Sequence, residues 1–252
     1  MTNGKVYLVG AGPGDPKLIT VYGMECIQKA DVILYDRLVN EQLLSYAKPD
    51  AELIFVGKLP GMHGIIQEQI HVHLVEQAQK GKTVTRLKGG DPCVFGRVGE
   101  EAEILAEQGI PYEIVPGITS GIAAATYAGI PVTHRDFAST FAMVTGHGRA
   151  EKNEDHINWS ALASGIDTIA FYMGIGNLSN ICENLIAHGK SAATPVAVIQ
   201  WGTTKKQKTV TGNLATIEDV VANAQITHPA IILVGEVVNL REKIKWFPEF
   251  EG

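Results

Sequence analysis

Cysteine is scarce. Three residues, Cys26, Cys93 and Cys182, are spread over a chain of 252, and no pair has metal-ligand spacing. That distribution predicts free thiols in a reducing cytosol and no metal site. Charge is sparse too, at 19% of residues against 45% hydrophobic, an apolar share that excludes wholesale disorder. Charge asymmetry is absent. Residues 1–150 carry 13 basic and 16 acidic side chains and residues 151–252 carry 8 and 11, so each stretch is −3 and neither end is a basic tail or an acidic arm. The net charge of −6 gives no support to nucleic-acid binding. No apolar run approaches the roughly 18 residues that span a membrane. The opening MTNGKVYLVGAG has too short an apolar run before its glycine turn to be a signal peptide. The expectation is a cytoplasmic protein with neither membrane nor nucleic-acid partners. The chain is long enough for one large or two medium domains.

Glycine, by contrast, is plentiful, with 27 residues. Short β-branched runs alternate with longer helical patterns. Strands are expected at Lys5–Val9, Asp31–Tyr35, Leu53–Val56, Thr83–Leu87 and Tyr112–Val115, with helices at Leu18–Ala30, Ile65–Lys80 and Glu100–Gln108. Gly81 and Gly109 stand just past the last two helices, where a left-handed cap belongs. Such alternation argues for a mostly parallel sheet. Pro116-Gly117 interrupts it, and a small-residue helix follows at Ile118–Ala128. A second series has strands near Thr140–Thr145, Thr168–Tyr172, Val196–Gln200, Lys208–Thr211 and Ile231–Val234, and helices at Leu178–Ala187 and Thr216–Ala224. The reading is α/β, with mostly parallel or mixed sheets in two lobes, residues 1–116 and 117–252.

The glycines cluster where strands end: Val9-Gly-Ala-Gly-Pro-Gly-Asp-Pro16, Lys88-Gly-Gly-Asp-Pro92 and Tyr172-Met-Gly174. Ligands of open α/β sheets bind beyond the carboxyl ends of strands, and glycine lets a ligand approach the backbone. Any one cluster is equally a tight turn; three at equivalent positions favour a binding site. The first resembles a dinucleotide fingerprint, with Asp36 roughly 20 residues on, where a ribose-binding acid would sit. The spacing fails, because Asp15 occupies the place of the third glycine. Pro13 and Pro16 also remove backbone donors that a phosphate cradle needs. A dinucleotide oxidoreductase is therefore disfavoured.

The segments VGAGPGDP, YDRLV, VGK, RLKGGDP, FGR, VPGITS, GIPVTHR, VTGH, FYMG and HPAIILVG follow in that order along nearly the whole chain. They resemble the tetrapyrrole (class III) methyltransferase family. VGAGPGDP and GGDP mark the wider family. YDRLV, RLKGGDP with FGR, and GIPVTHR are more specific and point to members that methylate uroporphyrinogen III. The resemblance implies two α/β lobes with S-adenosylmethionine (SAM) in the cleft between them, and a homodimer. It implies two methylations of uroporphyrinogen III, at C2 and C7, giving precorrin-2 through precorrin-1. S-adenosylhomocysteine is then the by-product, and the product feeds sirohaem and cobalamin synthesis. A sister precorrin or cobalt-factor methyltransferase is the alternative. A non-catalytic binder of SAM or tetrapyrrole is disfavoured, since the proposed catalytic groups are retained.

By resemblance, Asp36 is the general base and Lys58 the proton donor; read without it, Asp36 is a helix cap and Lys58 a solvated lysine. The cofactor residues carried over are Pro13, Gly89, Gly90, Asp91, Val94, Thr119, Ser120, Met173, Gly202 and Ala230. Asp91 can meet the cofactor's amino group or a ribose hydroxyl, while Met173 and Val94 offer apolar surface to adenine. The substrate is rimmed with acetates and propionates, so cations must converge on it. Candidates at strand ends and loops are Arg37, Arg86, Lys88, Arg97, His134, Arg135 and Arg149. Four positions depart from the family's usual pattern: Leu59 stands where arginine is common, Val98 where glycine is, Ser120 where alanine is frequent and His71 where asparagine is.

Overall fold

The computed structural model describes residues 4–57, 67–146 and 157–249. The chain divides into two compact units, Met1–Thr119 and Ser120–Gly252. Both are α/β, and each has a five-stranded sheet.

The first unit runs β1 (Lys5–Gly10), α1 (Val21–Lys29), β2 (Val32–Tyr35), β3 (Glu52–Phe55), α2 (Gln67–Gln79), β4 (Thr83–Lys88), α3 (Val98–Glu107) and β5 (Tyr112–Val115). Its strands lie in the order β3-β2-β4-β1-β5, and every pairing is parallel. Side chains alternate across this sheet. Val6, Leu8, Val32, Leu34 and Val84 pack against Ile70, Leu74 and Ala78 of α2 and Val98, Ala102 and Leu105 of α3. Val9, Ile33, Leu87 and Val115 face the other way, onto Cys26 and Ile27 of α1. Val98, the departure from the family's glycine, is thus a core residue that anchors the first turn of α3. The expected helix from Leu18 is split. A short 3-10 turn spans Pro16–Leu18, and α1 begins only after Thr20, whose side chain accepts the Gly23 N–H.

The second unit runs α4 (Ser120–Tyr127), β6 (Phe141–Thr145), α5 (Trp159–Gly165), β7 (Thr168–Tyr172), α6 (Leu178–Ala187), β8 (Pro195–Gln200), β9 (Lys208–Asn213), α7 (Ile217–Asn223), β10 (Ala230–Val234) and α8 (Arg241–Ile244). The order is β6-β7-β10-β8-β9. Only β6 and β7 pair in parallel; the other neighbours are antiparallel. The sheet is therefore mixed. Trp159, Leu178, Ile181, Leu185, Ile217 and Val221 of α5, α6 and α7 close one face over Ile169, Phe171, Val198 and Ile232. Among the described residues, no helix is long and apolar enough to cross a membrane. Cys26 and Cys182 are buried free thiols that burial pushes up to about 11, and Cys93 is exposed.

Candidate active site

In the first unit the strand order fixes where a ligand belongs. The chain leaves β1 across β4 to reach β2, and leaves β4 across β1 to reach β5. The two connections run in opposite directions over opposite faces, with α1 on one and α3 on the other, which makes the β1/β4 boundary the topological switch point of this sheet. Both glycine-rich loops start there. They are stitched together by a two-way backbone bridge, with Gly12 N–H on Gly90 O at 3.1 Å and Gly90 N–H on Gly12 O at 2.7 Å. Both glycines have positive φ, 78° and 70°, a conformation most side chains resist. A Cβ on Gly10 would lie 2.6 Å from Gly117 Cα and 2.7 Å from Gly90 O, so the loops after β1, β4 and β5 meet backbone to backbone. Asp91 holds the third loop: its Oδ1 accepts the Cys93 N–H at 2.8 Å and its Oδ2 the Gly117 N–H at 2.9 Å. Pro13, Gly89, Gly90, Asp91 and Val94 lie on these loops, and Thr119 follows β5 closely.

Asp36 follows β2, and its backbone N–H bonds Leu87 O of β4 at 3.3 Å. Its Oδ1 receives the Arg86 Nη2 at 2.6 Å, and its side chain stays 31% exposed. Arg86 and Lys88 behave differently from the expectation that they reach out to substrate. Alternation along β4 puts both on the face covered by α2 and α3, and both are buried, at 2% and 4% exposure. There they converge on Glu101 of α3, with Arg86 Nε at 3.2 Å and Lys88 Nζ at 2.8 Å from Oε1. Burial, reinforced by the Arg86 charge, lowers the Lys88 ammonium below its ordinary value against the pull of Glu101.

In the second unit, Ile231 lies opposite Tyr172, and Ala230 opposite Gln200. Met173, Gly202 and Ala230 are therefore gathered at one end of the sheet. Met173 has φ of 54°, in the left-handed region, and is 52% exposed. The Tyr172 hydroxyl accepts the Gly121 N–H at 2.7 Å, fixing the first turn of α4, and with it Ser120, at the same end. A Cβ on Gly202 would lie 2.5 Å from the Ala124 Cβ of α4.

The remaining candidates are more scattered. Arg37 is exposed just after β2. Arg97, with φ of 55°, leads into α3 and forks onto Glu100 at 2.9 and 2.6 Å. His134 and the exposed Arg135 lie in a turn ahead of β6, at the end of the second sheet opposite Met173; the His134 ring accepts the Asp136 N–H at 3.1 Å. Lys58, Leu59 and Arg149 lie outside the described residues. Sequence reasoning missed Asn40, whose Nδ2 bonds Gly14 O at 2.7 Å and ties the first glycine loop to the segment after β2. It also missed Tyr172, although FYMG contains it, and Glu101, which reads in sequence as an ordinary first-turn acid.

The tetrapyrrole (corrin/porphyrin) methylase family model matches residues 5–218. A uroporphyrinogen-III C-methyltransferase of Priestia megaterium is 64% identical over 236 residues, covering 94% of this chain and 99% of its own. Among solved structures, the uroporphyrin-III C-methyltransferase of Thermus thermophilus complexed with S-adenyl homocysteine aligns with a TM-score of 0.80 at 37% identity, covering 94% of each chain. A cobalt precorrin-4 methyltransferase aligns with a TM-score of 0.83 at 34% identity, covering 93% of this chain and 95% of its own.

Proposed function

The chain belongs to the tetrapyrrole (corrin/porphyrin) methylase family, and from that premise we propose that it methylates uroporphyrinogen III at C2 and C7, yielding precorrin-2 by way of precorrin-1. The observation that carries the reading is Asp36. It is a partly exposed carboxylate held through one oxygen by a buried guanidinium, in a sheet whose switch point is lined by bare glycine backbone.

SAM supplies the methyl group and departs as S-adenosylhomocysteine. The first unit's loops, with Pro13, Gly89, Gly90, Asp91, Val94 and Thr119, suit such a cofactor, because glycine backbone admits close approach and the proline-interrupted loop asks for no pyrophosphate. Ser120, Met173, Gly202 and Ala230 are the second unit's proposed contribution, Met173 offering apolar surface to adenine. An electron-rich pyrrole carbon attacks in line, so the protein must align the reacting atoms and exclude water. Carbon–carbon bond formation leaves the macrocycle with a proton to lose. Asp36 is the proposed acceptor and Lys58 the proposed donor in the accompanying tautomeric shift. Arg37, Arg97, His134, Arg135 and Arg149 are the proposed carboxylate-binding cations. Arg86 and Lys88 are not among them, being already paired inside. The resemblance further supports a homodimer working in the cytoplasm, with lobes 1–116 and 117–252 and a product entering sirohaem and cobalamin synthesis.

The likeness to the cobalt precorrin-4 methyltransferase supports a second reading, methylation of a later corrin-ring intermediate. One assay separates the two. Freshly reduced uroporphyrinogen III is incubated with methyl-labelled SAM and the product is weighed. Two added methyl groups are expected. Transfer only to a later intermediate would favour the second reading, and no SAM binding by calorimetry would sink both.

A further inference from the structure

We infer that Glu101, a residue with no assigned role, is a positioning residue for Asp36 and acts on it through Arg86. This rests on the reading of Asp36 as the proton acceptor. The starting point is an arginine on the central strand of a doubly covered sheet. At 2% exposure, the Arg86 guanidinium must find its acceptors inside the protein. It donates from Nε to Glu101 Oε1 at 3.2 Å, from Nη1 to Leu87 O at 3.2 Å and from Nη2 to Asp36 Oδ1 at 2.6 Å. The fork is planar and rigid, so anchoring its Nε edge dictates where Nη2 points. Glu101 is that anchor. It is fully buried, and its Oε1 also takes Lys88 Nζ at 2.8 Å and Gln67 Nε2 at 3.3 Å.

Glu101 therefore does more than neutralise Arg86. Two cations and two carboxylates form one chain, Lys88–Glu101–Arg86–Asp36, of which only Asp36 is substantially exposed. The inner three groups present the fourth. Oδ1 of Asp36 is fixed by the guanidinium, while Oδ2 receives no hydrogen bond among the described residues. A carboxylate held by one oxygen keeps the other in a set direction, as proton removal by a positioned base requires. Glu101 Oε2, by contrast, is buried, and it is without a partner among the described residues. The strength of the anchor is thus concentrated in Oε1.

A purely structural Glu101 would affect folding and nothing else, which makes the inference testable. Single-turnover methyl transfer from labelled SAM to uroporphyrinogen III is measured per SAM-binding site, counted by calorimetry so that only folded protein enters. The proteins are the wild type, Glu101→Gln, Arg86→Lys, Asp36→Asn and the Asp36→Asn/Glu101→Gln double variant. Glu101→Gln and Arg86→Lys are expected to lose about tenfold to a hundredfold in rate while SAM affinity stays within about twofold. In the Asp36→Asn background, Glu101→Gln should change the rate by less than about twofold, because its route to the chemistry is already gone. A wild-type rate in Glu101→Gln overturns the inference, as does an equal loss in both backgrounds. It also fails if Glu101→Gln and Arg86→Lys bind no SAM while Asp36→Asn does, since the cluster is then scaffold alone. The two levels of failure read apart: no transfer by the wild type rejects the substrate, whereas transfer by the wild type with an unimpaired Glu101→Gln rejects the role of Glu101.

Discussion

Asp91 accepts two backbone N–H groups, one from its own loop and one from Gly117, 26 positions further along the chain. Charge-assisted bonds of this kind contribute about 1.5–3 kcal/mol, and removing the acceptor strands the donors. Asp91→Ala should therefore lower the melting temperature and weaken SAM binding together. Asp91→Asn, with one acceptor oxygen left, should fall between the two. Calorimetric melts and SAM titrations read both; an Asp91→Ala protein matching the wild type in melting and affinity would reject the role. The GGDP motif identifies this loop, but not the tie to Gly117, because a contact across three strands has no signature in local spacing. Arg86 and Lys88 teach the same lesson. Their types suggested carboxylate binding, and they do bind carboxylates, but those of Asp36 and Glu101. Alternation along β4 puts the two on one face. Only the packing of α3 says that the face is covered.

Elements that bury a long apolar stripe were legible. The residue limits of α6 and β7 agree with the sequence pattern, since α6 buries Leu178, Ile181, Cys182 and Leu185 at the helical period and β7 is a short apolar run buried at every position. One short helix was not. The helix α5 carries only Trp159 and Ala163 as buried residues in seven positions, too few for a periodicity. Strand direction in the second unit was also hidden, because alternation of element types does not specify whether a connection crosses over or folds back. The start of its sheet shows how a connection is held. Asp167, ahead of β7, accepts the N–H groups of Ser139 and Thr140 and the Thr140 hydroxyl at 2.8–2.9 Å, all on Oδ2. These bonds, the Ser139 N–H first, hold its carboxyl below the usual aspartate range. A carboxyl lowered in the folded state stabilises fully above its unfolded value of about 3.9, and that contribution disappears as pH falls through the folded value. Asp167→Ala should cost about 1 kcal/mol at neutral pH, at the modest end because the site is exposed. The gap between the two proteins in urea titrations should begin to narrow below about pH 4 and close as the pH passes the lowered folded value. A gap that persists unchanged into strong acid would show that the carboxylate's charge is irrelevant.

At the scale of the whole molecule, each unit has its own apolar core. Leu74 of α2 is fully buried in one face of the first sheet, against β1, β2 and β4. Ile181 and Phe171 are fully buried in the second unit's cluster. Separate cores predict separable opening, since cooperative units follow contiguous packing. Leu74→Ala removes three buried carbons from a close-packed site and should cost about 2–5 kcal/mol. That loss should appear first as faster amide exchange in β1, β2 and β4. Exchange in β7, β8 and β10 should stay near the wild-type rate under conditions where the protein as a whole remains folded. Hydrogen-exchange mass spectrometry resolves the two sets of strands. The reciprocal variant, Ile181→Ala, should reverse the pattern. Equal acceleration of both sheets in either variant would mean that the units open only together, so that the proposed cofactor loops after β1, β4 and β5 could not loosen independently of Met173 and Gly202. With separable opening, a weakened first unit would instead lose Asp91 and the glycine bridge while the second unit's candidates remained in place. SAM affinity in Leu74→Ala should then fall more steeply with added urea than in Ile181→Ala, because the first unit supplies the larger share of the proposed cofactor residues.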